Sequence, residues 1–151
     1  MTAQKSTGLF GKFGENYVIG IFLENNFEVF RPDFDRGTDV IIKKGKKCYS
    51  FQIKTRNYET DEDRHLIIEK QTLKQVNFII YILYNGHKDI NFLVIPSKDL
   101  LKWKAGNDIK GLHYPIKYNY DHDKPEVSFS YKERTRNLKK YLNENGLKLI
   151  K

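Results

Sequence analysis

Apolar residues along the chain repeat with two different periods, and each change of period marks the edge of an element. Between Leu9 and Asn26, Phe10, Phe13, Tyr17, Val18, Ile21 and Phe22 recur at helical spacing before "ENN" closes the run, which predicts a first helix. "FEVFRP" predicts a short strand halted by Pro32. In "RGTDVIIKK" and "CYSFQIKTR" polar and apolar residues alternate on either side of a turn at Lys44 to Lys47, the pattern of a hairpin.

Past the charged loop "NYETDEDRH", the polar segment "EKQTLKQ" is rich in helix formers, and "VNFIIYILY" and "INFLVIP" predict two long apolar strands joined through "NGHKD". "SKDLLKWK" predicts a helix capped by Ser97, whose hydroxyl can accept a hydrogen bond from the first-turn amides. Lys104 to Pro125 is irregular, with short strands at "HYPIKYN" and "EVSFS", and "KERTRNLKKYLNENG" predicts a basic C-terminal helix ended by Gly146. No repeat or linker interrupts the chain. The expectation is a single α/β domain over residues 1–151, with a core over about residues 8–96 and an accessory region over about residues 97–151.

Composition adds a partner class to this outline. A chain of 151 residues buries roughly two thirds of the surface its unfolded form exposes, so it needs no disulfide or metal staple. Its net charge of +8 attracts polyanions. Cys48 is the single cysteine and forms no zinc-spaced cluster with His65, His87, His113 or His122, which points to a reducing, cytoplasmic setting. Neither a secretory signal nor an apolar run of about 18 residues is visible, so no membrane partner is expected.

The hairpin is where chemistry enters. If Lys43 faces Cys48 across a four-residue loop, opposed positions sum to 91 and Asp39 lies across from Gln52 on the same face. Period two adds Lys54 to that face and turns Val40, Ile42, Phe51 and Ile53 to the core; a slip by one residue would expose that apolar set. Glu15 has Val18, Ile19 and Phe22 at three, four and seven positions on, so its carboxylate shares a face with residues expected to be buried and calls for a cation or an outlet to solvent. Taken singly, each of these residues also has a structural account. Taken together, they converge from three elements.

Hard divalent cations want oxygen ligands, and the Asp39 carboxylate, the Gln52 amide oxygen and the Ile53 carbonyl can supply them, with Glu15 as a further ligand. A metal there would activate water and neutralise a scissile phosphate, and Lys54 would orient the water and steady the transition state.

The order of Glu15 in the first helix, Asp39 opening a strand and Gln52-Ile53-Lys54 in the next resembles the PD-(D/E)xK nuclease superfamily over about Gly8 to Pro96. The resemblance implies a restriction-endonuclease-like α/β core, a mixed central sheet flanked by helices, and magnesium- or manganese-dependent hydrolysis of duplex DNA. Gln52 stands where an acid is usual, which removes one negative charge but keeps an oxygen ligand. Pro32-Asp33 is a literal "PD", but Asp33 has no partner in the strand pairing whereas Asp39 does. Small size and the glutamine look like the cyanobacterial group I intron homing endonucleases of this class, next to archaeal Holliday junction resolvases. A double-strand break from one site per chain implies a homo-oligomer, dimer or tetramer.

The remaining signals concern binding. Lys44, Lys46 and Lys47 in the turn, Arg56 at the end of its strand, and Arg134, Arg136, Lys139 and Lys140 in the expected last helix are the cations for DNA phosphates. "DHDKPE", Asp121 to Glu126, reads as a solvated turn in preference to a metal site, and "GLFGKFGE" follows no strand, so it is no phosphate loop. Tyrosines from Tyr114 to Tyr131 suit either base stacking or an oligomer interface. Two other classes are weighed against the enzyme: a nuclease-like DNA-binding module that no longer cuts, and an RNA-binding protein, which would need aromatic platforms on an open sheet face.

Overall fold

The chain forms, in order, α1 (Ala3–Glu24), β1 (Glu28–Phe30), β2 (Val40–Lys44), β3 (Lys47–Asn57), β4 (His65–Ile68), α2 (Lys70–Gln75), β5 (Phe78–Tyr84) and β6 (Asn91–Pro96). Then follow α3 (Ser97–Lys102), β7 (Gly106–Asp108), β8 (Gly111–Asn119), β9 (Glu126–Tyr131), β10 (Arg134–Asn137), a 3-10 turn and α4 (Asn143–Leu147). This is a computed structural model, and it describes residues 3–34, 36–60, 65–86, 90–120 and 124–151, with side chains from residue 8 onward. His87, His122 and the start of "DHDKPE" lie outside the described residues.

Two five-stranded sheets organise the molecule. The first runs β1-β2-β3-β5-β6 and is mixed, because β3 and β5 pair in parallel while its other neighbours are antiparallel. The second runs β10-β9-β8-β4, with β7 beside β8, and is antiparallel throughout. A parallel pair cannot be closed by a tight turn, and the crossover from β3 to β5 carries β4 and α2.

Side-chain parity explains the layers. Phe78, Ile80 and Ile82 of β5 face α1, where they pack with Val18, Phe22, Val40, Ile42, Phe51 and Ile53. Ile79, Tyr81 and Leu83 face the second sheet, where they meet Leu66, Ile68, Tyr114, Ile116, Val127 and Phe129. Helix α1, the first sheet and the second sheet are therefore stacked, and β5 is apolar throughout because both of its faces are covered.

The hairpin register is as expected: Val40 pairs with Phe51 and Lys43 with Cys48. The loop is tighter, since Lys44 and Lys47 also pair and only Gly45 and Lys46 turn the chain. Two expectations are corrected. The C-terminal segment is not a basic helix: Arg134–Asn137 is a strand laddered onto β9, followed by a 3-10 turn and the short α4. Pairing to β9 overrides the helix propensity of the arginines, while Leu138 and Tyr141, three apart, enter the inter-sheet core. Ser97 is not a cap; it is the first helical residue, buried, with Pro96 in the cap position and no side-chain capping bond. "HLII", between the charged loop and α2, is strand β4.

Candidate active site

Asp39 sits where β2 is about to begin. Its amide donates to the Phe51 carbonyl at 2.9 Å, and its Oδ2 accepts from the Ile53 amide at 2.7 Å. The carboxylate thus replaces the strand partner that Ile53 lacks beyond the first residue of β2, and the sheet edge holds it in place. In a strand the amide and carbonyl of one residue point to the same side, so the Ile53 carbonyl lies along this edge too. A carboxylate has about four acceptor sites, so the bond to Ile53 orients Asp39 without exhausting it.

Gly37 sets the approach to Asp39. It has a φ of 86°, and a Cβ there would lie 3.0 Å from the Thr72 hydroxyl of α2, so the loop turns tightly against that helix two residues before Asp39.

Gln52 and Lys54 are on the opposite face of β3 from Phe51 and Ile53, paired with Ile79 and Tyr81, at the rim of the inter-sheet core. Both line a cleft of about 460 Å³ together with Arg36, Arg56, α2 and the β7–β8 turn. Gln52 Oε1 is buried and has no hydrogen-bond partner. A buried acceptor left unpaired costs about 1–3 kcal/mol, so a group that would bind it has a clear gain to make. Four cations, Arg36, Lys54, Arg56 and Lys110, face Glu69 as the lone carboxylate among the described lining residues. Arg56 also donates to the His65 carbonyl at 3.3 Å, tying β3 to β4.

Glu15 is placed differently. Gly14 lies against Thr55, with no room for a Cβ, so α1 rests directly on β3. From there Glu15 pairs with Lys12 at 2.8 Å and with Arg31, just past β1, at 3.6 Å. Because β1 ends beside the start of β2, Glu15 stands at the same end of the sheet as Asp39, but on the α1 side, whereas Gln52 and Lys54 face the second sheet. Its charge is met by these two cations, the protein-only answer to a half-buried carboxylate. Asp33 is exposed in the loop between β1 and β2. Among the described residues no three His, Cys, Asp or Glu side chains gather as metal ligands.

The expected phosphate contacts are scattered. Lys46 and Lys47 are exposed at the hairpin turn, while Lys44 donates to the Ile150 carbonyl at 3.0 Å. Arg134 and Arg136 are on exposed β10, with the Arg136 guanidinium 5.1 Å from the Trp103 ring, and Lys139 and Lys140 follow in the 3-10 turn. Tyr114 is buried, its hydroxyl donating to the Leu100 carbonyl, and Tyr118 accepts from the Asn91 amide, so both serve the core. Arg36 and Lys110 were not foreseen. "RGTD" carried the first signal, directly before the glycine-assisted turn into Asp39, and "NDIKG" carried the second.

No family model matches the chain, and no curated protein matches it in sequence. Among solved structures it is similar to a bacterial homing endonuclease, I-Ssp6803I, at 16% identity and a TM-score of 0.51, over 66% of this chain and 74% of that one. At that identity the likeness shows a shared fold, and the described residues contain no helix long and apolar enough to cross a membrane.

Proposed function

We propose that the chain is a divalent-metal-dependent endonuclease that hydrolyses phosphodiesters in duplex DNA, of the homing type. The carrying observation is the buried, unpartnered Gln52 Oε1 beside Lys54 in a cationic cleft, one residue from the edge where Asp39 is held against Ile53. The fold it shares with a homing endonuclease supports the same reading.

The donor set fits a hard cation: the Asp39 carboxylate, the Gln52 amide oxygen and the Ile53 carbonyl would hold magnesium or manganese. When bound, the metal supplies a Lewis acid for the phosphate and lowers the pKa of coordinated water. Lys54 holds a phosphate oxygen and steers the attacking water, and its charge offsets the negative charge that builds in the transition state. Water attacks phosphorus, the bond to the leaving sugar oxygen breaks, and the proton goes to that oxygen. Glu15 acts at one remove, through Arg31 and the end of the sheet. Arg36, Arg56 and Lys110 hold flanking phosphates, and Lys46, Lys47, Arg134, Arg136, Lys139 and Lys140 contact the backbone farther out. One such site cuts one strand, so a double-strand break calls for a symmetric oligomer.

The glutamine in an acid's place favours a second reading, a module that binds DNA without cutting. Offering the purified protein a randomised duplex pool and a four-way junction with magnesium, and sequencing the ends produced, separates these. Defined ends in duplex support the homing-type reading, junction-specific ends move the assignment to a resolvase, and retention of DNA with no ends leaves the binding module.

A further inference from the structure

Two apolar side chains project from the molecule where their own loops give no reason for them. Ile109 is 101% exposed and Phe34 is 77% exposed. Isolated surface apolar residues are ordinary, so exposure alone decides nothing. Position does.

Ile109 is at the centre of the β7–β8 turn, between Asp108, which pairs with Gly111, and Lys110. Turn centres favour Gly, Asn, Asp, Pro or Ser, for their tolerance of tight dihedrals and their local hydrogen bonds, and a β-branched aliphatic offers neither. The turn is firmly built without it. Asp108 Oδ1 accepts from the Lys110 amide at 2.7 Å and lies 2.8 Å from His113 Nε2, and Gly111, at a φ of 126°, sits against the backbone of Ile68, where a Cβ would be 2.5 Å from the carbonyl oxygen.

Phe34 belongs to the loop that leads into Asp39, and Gly37 docks that loop on Thr72. Ile68, Glu69 and Thr72 form the junction of β4 and α2, which walls the cleft. The two loops are therefore seated on one short stretch of chain, and Lys110, next to Ile109, and Arg36, two residues past Phe34, both line the cleft.

We propose that Ile109, with Phe34 on the opposing loop, enters the base stack of duplex DNA held over this cleft and kinks it at the step facing Lys54. Apolar wedges between base steps unstack DNA and bend it, and the loss of stacking is offset by extra contact with protein. The adjoining cations select this occupant, because a polyanion is what Arg36, Lys54, Arg56 and Lys110 attract together, and the exposed tips meet bases only if phosphates sit on those cations. Asp33 and Asp35 bracket Phe34 in the sequence and repel phosphate, so Ile109 carries the larger share.

This rests on the DNA reading above but not on cleavage, and the test separates the two. A randomised duplex pool is bound to the protein in calcium, the retained complexes are treated with permanganate, which oxidises unstacked thymines, and the DNA is sequenced. Ile109→Asn and Phe34→Asn are compared with wild type; both positions are exposed, and asparagine suits the turn, so both variants fold. The expected result is hyper-reactive thymines in wild-type complexes that return to the level of free DNA in Ile109→Asn. Retention is expected to weaken about tenfold, the worth of one well-buried aliphatic side chain, with a smaller loss for Phe34→Asn. Retained DNA without hyper-reactive thymines, or reactivity unchanged in both variants, overturns the wedge and leaves the nuclease reading standing. If wild type retains no duplex, the DNA reading fails and the wedge fails with it.

Discussion

The two sheets solve different problems with the same chain. In the first, burial alternates over residues 40–42 and 51–54, β5 is apolar on both faces, and the polar residues Gln52, Lys54 and Arg56 line the cleft. In the second, the interior is aromatic, with Trp103 stacked on Phe129 at 5.3 Å and meeting Tyr141 edge-on at 5.6 Å, and the outer strand β10 is exposed throughout. The first sheet holds the residues of the candidate site in a fixed register. The second presents charge on an aromatic support, where position matters less. Substitutions in the two should therefore fail in different assays.

The largest expected contrast is in cleavage. Asp39→Ala and Lys54→Ala should each lower the cleavage rate by about a thousandfold, the scale seen when a group aimed at transition-state charge is lost, while duplex binding stays nearly unchanged. Activity of Asp39→Ala within tenfold of wild type would remove Asp39 from the site. Glu15→Ala should cost less, because Glu15 meets Lys12 and Arg31 on the other side of the sheet.

Next in size is a stability effect confined to the second sheet. Trp103→Ala should destabilise the protein by about 3 kcal/mol or more in urea unfolding, through the cavity it leaves among Tyr114, Phe129 and Tyr141. An unfolding midpoint close to that of wild type would mean that the aromatic cluster contributes little to stability.

Gln52 sharpens the first half of the comparison. Gln52→Ala should slow cleavage strongly, and Gln52→Glu should keep or raise magnesium affinity, read as rate against magnesium concentration with folding checked by circular dichroism. Equal rates and metal midpoints for all three proteins would show an uninvolved strand residue, for which alanine costs about 1 kcal/mol or less.

Smaller effects belong to the second sheet's surface and its titration. Replacing Arg134 and Arg136 by alanine should weaken duplex binding and lower the salt slope by roughly 0.9 for each phosphate no longer neutralised, and an unchanged slope would turn β10 away from DNA. Burial pushes the Tyr114 hydroxyl up to about 12 from an ordinary 10.0. The folded state holds that proton more tightly, so the contribution is full below pH 10 and is lost as pH rises toward 12. Asp108 behaves oppositely, since hydrogen bonds from His113 and the Lys110 amide hold its carboxyl below the ordinary 3.8. Its contribution is full above that value and is lost only as pH falls through the lowered one. Urea midpoints followed against pH check both, with Tyr114→Phe expected to remove the part of the alkaline loss that comes from Tyr114.

The same division explains what could be read in advance. Opposed positions summing to 91 follow from period two and a buried face, so the pairing of Val40 with Phe51, and with it the places of Asp39, Gln52 and Lys54, was legible in the hairpin alone. Where residues meet through partners distant in the chain, local pattern failed. "RTRN" has helix formers and becomes a strand because β9 is there to pair with it, and "HLII" is too short to identify as a strand before β8 is known to lie beside it. Ser97 suited a cap by type, but β6 runs to Pro96 and leaves it inside the helix. Arg36 and Lys110 reach the cleft only through two loops seated on the β4–α2 junction, a convergence that no spacing in the chain encodes.

Strand β10 closes one side of the second sheet, and among the described residues no strand pairs with its outer edge, whereas the edge at β6 is bridged by Leu93 to Leu142. An unpaired edge is a template on which another copy can add a strand, and charged side chains along it are a barrier to such growth. Arg134 and Arg136 put such charge on the exposed outer strand. Neutralising both would remove that barrier, and solubility should fall whatever happens to duplex binding.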